Sequence, residues 1–104
     1  MLKKQEIMDR LRHKAAVFRK NYADKNFLSA MWQYRYAVEI VAAVFSDDEE
    51  VSTELFGSRE NESIDGLFPR EQVMRAWKWC IDHNCTTDKY YPPEQPYINK
   101  QKIS

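Results

Sequence analysis

A chain of 104 residues has room for one domain, and a domain of that size buries roughly two-thirds of the surface its unfolded chain exposes, enough for one real core. Aromatic residues make up 13% of it, more than a disordered chain carries, so the chain is expected to fold. Basic and acidic side chains cancel at 16 each, yet residues 1–22 hold seven basic and two acidic groups, while residues 46–68 hold one basic and eight acidic. This split is the clearest charge feature of the sequence.

Met1-Leu2-Lys3-Lys4 leads into charged sequence and not into the apolar stretch of a secretory signal. The longest apolar run, Ile40 to Phe45, is far too short to cross a bilayer. A cytoplasmic protein without a membrane partner is expected. Cys80 and Cys85 do not amount to a secreted disulfide framework.

The first helix is predicted from about Lys3 to Tyr22. Met8, Leu11, Ala15, Phe18 and Tyr22 recur at alternating three- and four-residue steps, with Ile7 beside them, and so share one face. Arg10 and Lys14 flank that face on one side, Arg12 and Arg19 on the other. Asp24 reads as the N-cap of a second helix, about Lys25 to Phe45. Phe27, Met31, Tyr34, Val38, Val41 and Phe45 follow a 4-3-4-3-4 spacing, the seam of a packed helix pair. Its C-terminal half is apolar nearly all round and is expected to be the most buried segment of the protein.

Ser46 with Glu49 three residues on is a capping-box pattern, so a short third helix is predicted from Asp47 to Phe56, stopped by Gly57. Residues 58–68 read as a polar loop. Pro69 suits the first turn of a last helix running to about His83, with Val73, Met74, Trp77, Cys80 and Ile81 inward and Asn84 as its cap. From Thr86 onward, Tyr90-Tyr91-Pro92-Pro93-Glu94-Gln95-Pro96-Tyr97 reads as an extended arm. The fold class expected is all-α: a small orthogonal or up-down bundle of about four helices, the third short, over residues 1–88, followed by an extended Pro/Tyr-rich arm over residues 89–104.

Cys80, His83 and Cys85 form a weak candidate metal group, because Cys80 and His83 fall about 60° apart on a helix. A fourth local ligand is missing, and a buried cysteine beside a helix-ending histidine explains the same residues, so no metal or cofactor is expected. The acidic run Asp47 to Glu50 lacks the ligand spacing and glycine of a calcium loop, and helix capping accounts for it. No phosphate loop, nucleophile elbow or His-Glu-x-x-His pair is present, and nothing orients a Cys–His dyad at residues 80–85; an enzyme is not expected.

Aromatic side chains carry the functional reading. Leu28, Trp32 and Tyr36 lie opposite the second helix's seam, and Trp79 is expected to point away from the last helix's inner face. Rings of this kind anchor interfaces. The sequence therefore predicts a non-catalytic protein–protein interaction module, an adaptor or small regulator that associates with itself or another protein through Leu28, Trp32, Tyr36 and Trp79. The alternative is nucleic-acid binding through Arg10, Arg12, Lys14, Arg19 and Lys20, although those cations straddle the apolar face, as side chains rimming a buried surface do.

Overall fold

In the computed structural model, which describes residues 3–58, 60 and 64–83, the chain forms four helices: α1 Lys4–Ala23, α2 Phe27–Val44, α3 Glu49–Phe56 and α4 Arg70–Asp82. No strand occurs among the described residues. No helix among them is long and apolar enough to cross a membrane. The domain boundary expected at residue 88, the Asn84 cap and the Pro/Tyr-rich arm lie outside the described residues.

Helix α1 buries the face its spacing predicts: Met8, Leu11, Ala15 and Phe18 are enclosed, with Ile7 and Tyr22 half-covered at the margin. It ends by a backbone device. Lys25 stands in the left-handed region at φ 64°, the Asn26 amide donates to the Asn21 carbonyl at 2.8 Å, and the Lys25 amide donates to the Tyr22 carbonyl at 3.0 Å. These two bonds around a left-handed residue make a Schellman closure. The expectation that Asp24 caps α2 is thereby corrected. Asp24 is the C-cap of α1, and α2 starts after Asn26 without a side-chain cap. The tight link reverses the chain, so α2 runs antiparallel to α1, with Phe27 against Tyr22 at 5.6 Å and Tyr36 beside Lys14.

Helix α2 packs on both α1 and α4. Met31, Tyr34, Val38, Val41 and Phe45 are buried along the predicted seam, with Ala30 and Ala37 filling in beside them. The C-terminal half is less enclosed than expected: Ala42 and Ala43 are exposed, and Val44 is 54% exposed. The turn after Phe45 sends α3 against α1, which leaves that side of α2 open.

The cap of α3 is Asp48 and not Ser46, since Asp48 Oδ1 accepts the Val51 amide at 3.0 Å. The intervening residues are taken up by a turn in which the Asp48 amide donates to the Phe45 carbonyl at 3.0 Å. At its other end α3 leaves unpaired carbonyls, as every helix does. Leu67 and Phe68 supply the missing donors, their amides reaching the carbonyls of Glu54 and Leu55 at 2.9 Å each. This return brings Phe68 into the core at 1% exposure, with Phe18, Tyr34 and Phe56 at centroid distances of 5.4, 5.6 and 5.9 Å. The segment read as a polar loop thus ends in a core residue.

Pro69 is the N-cap of α4 and not its first helical residue. The Arg70 amide donates to Asp65 Oδ1 at 3.0 Å. Helix α4 turns Val73, Ala76 and Cys80 inward. Met74 and Ile81, expected inside, are 46% and 42% exposed. Ala76 is fully buried, and α4 packs mainly on α2.

Candidate functional site

The outer side of α2 carries a row of apolar residues at four-residue intervals. Leu28, Trp32 and Tyr36 are 37%, 50% and 38% exposed, half-covered Ile40 follows, and Val44 completes the row. At 1.5 Å and about 100° per residue, the row is about 24 Å long and drifts about 40° per step. It is therefore an i+4 ridge that winds about 160° around α2 from Leu28 to Val44. In the sequence the same interval runs on through Ile40 and Val44, but the apolar C-terminal half of α2 masks it, since every direction around that half reads as buried.

Cations from both helices of the α1–α2 hairpin hold the two rings. Lys14 Nζ lies 4.7 Å from the Tyr36 ring centroid, and the Arg35 guanidinium lies 5.4 Å from that of Trp32. Arg35 Nε in turn donates to Glu39 at 2.7 Å. Exposed cation–ring contacts are worth roughly 0.5–1 kcal/mol each, a size similar to the rotamer entropy lost when an interface orders one side chain. The rings are partly pre-ordered before anything docks.

Trp79 does not point away from the core, which corrects the expectation of its orientation. It is half-buried, with its ring 5.4 Å from Phe27 and the His83 imidazole stacked on it at 4.0 Å. His83 Nδ1 also lies 2.8 Å from the Trp79 carbonyl. The rotation that buries Val73, Ala76 and Cys80 sets position 79 against Phe27. Trp77 is half-buried as well, and its Nε1 is shut off from solvent without a hydrogen-bond partner.

Of the weak metal candidates, only Cys80 and His83 are among the described residues. Cys80 is fully buried on the inner face, His83 is exposed and engaged with Trp79, and Cys85 lies outside the described residues. Among the described residues no group of three His, Cys, Asp or Glu side chains is placed to hold a metal ion.

The five cations of the alternative reading go to different places. Arg12 turns toward α3, donating through Nε and Nη2 to both Glu54 oxygens and through Nη1 to Asp9 at 3.0 Å. Arg19 Nε donates to the Ala15 carbonyl at 3.2 Å, and Lys20 approaches Asp24 at 3.5 Å. Lys14 lies over Tyr36. Arg10 sits beside His13 and Lys14 in the shallow groove along Tyr36. With Lys4 on Asp48 at 2.8 Å, two ion pairs join the basic segment of α1 to the acidic segment of α3. The hydrogen bond to Lys4 and then the Val51 amide hold Asp48 below its usual carboxylate range, and the bond to Arg12 does the same for Glu54. Their partners Lys4 and Arg12 are raised in return, chiefly by those same bonds.

No protein-family model matches the chain, and no curated protein or solved structure matches it either. What the α2 surface does has to be argued from its own chemistry.

Proposed function

We propose that this protein is a non-catalytic interaction module, a small adaptor or regulator, that associates with a second copy of itself through the outer ridge of α2. The supporting observation is that Leu28, Trp32 and Tyr36 stand exposed in one row on a helix whose opposite side is fully enclosed. Large apolar rings grouped on a surface are costly in water and uncommon unless something covers them, and Trp and Tyr are the side chains that most often carry the binding energy of an interface. The dispersal of the α1 cations favours this reading over a phosphate-binding one, because only Arg10 and Lys14 share a surface with the rings.

Light scattering across a concentration series tests it. The chain is expected to shift from 12.5 kDa toward twice that mass as concentration rises. Trp32→Ala and Tyr36→Ala should each weaken the shift by about 2 kcal/mol, the scale of an interface anchor, with helical circular dichroism unchanged. A chain that stays monomeric throughout, or salt-sensitive binding to DNA or RNA that Arg10→Ala with Lys14→Ala removes, would overturn the proposal.

A further inference from the structure

Resting on that reading, we infer that the two copies pair antiparallel, α2 against α2, across a two-fold axis at Tyr36. Three observations converge on this geometry. The first is the form of the ridge. Side chains spaced four apart form rows inclined to the helix axis, and two such rows interdigitate when the axes cross near 50°, the commonest crossing in globular proteins. The exposed row from Leu28 to Val44 is one of these, and its midpoint is Tyr36. A two-fold axis passing beside Tyr36 lets the two rows lie alongside each other, bringing Trp32 near the partner copy's position 40 and Leu28 near its position 44.

The second observation is the charge at the two ends of α2. The end where α1 turns into α2 exposes Arg19, Lys20 and Lys25 against one acid, Asp24. The far end, where α2 turns into α3, exposes Asp47, Glu49 and Glu50, while Asp48 is already matched by Lys4. The molecule is thus positive at one end of its ridge and negative at the other. Antiparallel pairing lays each positive end over the other copy's negative end, twice in one dimer. Parallel pairing would set like ends together.

The third is the backbone. A helix is positive at its N-terminus and negative at its C-terminus, so α2 adds to this polarity in the same sense. With axes 8–10 Å apart, helix ends about 13 Å from the crossing point diverge to about 14 Å. A lysine and a glutamate reaching toward each other bring their charges within the Debye length of about 8 Å at physiological salt. Near the middle, Arg35 is paired with Glu39 at 2.7 Å, and Lys14, lying over Tyr36 close to the axis, meets its own counterpart in either orientation, so the choice between orientations falls to the ends. A two-fold arrangement also closes on itself, whereas a head-to-tail contact between a basic and an acidic surface would run on into a filament.

Charge reversal at one end at a time tests the geometry. Lys20→Glu with Lys25→Glu makes both ends negative, and Asp47→Lys with Glu49→Lys makes both ends positive. Each double variant alone should self-associate at least about tenfold more weakly than the parent chain, with helical circular dichroism retained. Mixed one to one, the two should recover the parent affinity as a dimer containing one chain of each kind. If the parent chain dimerises and Tyr36→Ala disrupts it, but the mixture fails to recover or grows into larger species, the antiparallel geometry is wrong while self-association through α2 stands. If the parent chain never dimerises, both fall together.

Discussion

Gly57 shows how much can hang on one residue. Its backbone lies at φ 84°, ψ −179°, a region essentially closed to residues with a side chain. A Cβ built there would also meet the Ile64 carbonyl oxygen at 2.4 Å. Gly66 faces it across the same close approach, where a Cβ would meet the Gly57 nitrogen and the Leu55 carbonyl at 2.4 Å. Neither obstacle is a flexible side chain that could swing away. Gly57→Ala should therefore cost at least about 2–3 kcal/mol, the upper part of the range for such backbone strain, read as a lowered urea midpoint with an unchanged slope. A loss below about 0.5 kcal/mol would show that the loop relaxes and does not hold α3 as described. The sequence marks Gly57 as a helix stop, but the partner that makes it indispensable, the returning strand of chain at residues 64–68, has no local signature. Asp48 makes a similar point. Ser46-x-x-Glu49 is the better capping pattern on paper, yet the turn after α2 needs those residues, and the helix begins where the turn ends.

Between elements, α1 and α3 share the apolar core and are also joined by two ion pairs: Lys4 with Asp48, and Arg12 with Glu54. Both carboxylates titrate below their ordinary values of 3.8 and 4.5 when the chain is folded. In the unfolded chain they return to those values, so at acid pH the unfolded state binds more protons than the folded one. Stability from these pairs is then complete above about pH 4.5 and is lost as pH falls through the lowered folded values. On the alkaline side Lys4 is raised above its ordinary 10.5, so its contribution is complete below that pH and is lost only as pH rises through the raised value. Urea midpoints measured from pH 7 down to pH 3 should be flat at first and drop below about pH 4.5. Glu54→Gln should remove part of that drop; an acid limb identical to the parent's would mean that Glu54 is not held by Arg12 in solution. The charge imbalance of the two segments is plain in the sequence. That they face each other was not, because it depends on the direction in which α3 leaves the turn after Phe45. Helix α4 is the element read least well. Its periodicity admits two adjacent faces, and packing against α2 selects the one that buries Val73, Ala76 and Cys80 and sets Trp79 on Phe27, while Met74 and Ile81 face water.

At the scale of the whole molecule, Phe68 joins what the helices leave apart. It touches rings from α1, α2 and α3 and stands directly before α4. Truncating a buried phenylalanine costs about 3–5 kcal/mol, against about 5–15 kcal/mol for an entire small domain. Phe68→Ala should therefore leave a chain with a large unfolded fraction in mild denaturant, and tryptophan fluorescence and circular dichroism should report the loss together. Retention of the parent's urea midpoint would remove Phe68 from its central place. The sequence by itself determined the all-helical class, the four helices and their order, and the buried faces of α1 and α2, because those follow from periodicity along one continuous segment. It also marked Leu28, Trp32 and Tyr36 as exposed opposite a packed seam. Tertiary structure alone decided which face of α4 turns inward, that Trp79 is half-buried against Phe27, that the ridge continues to Val44, and that Lys4 and Arg12 pair with Asp48 and Glu54. Each of those depends on which surface arrives from a distant part of the sequence, and burial is a property of the pair that meets, not of either member alone.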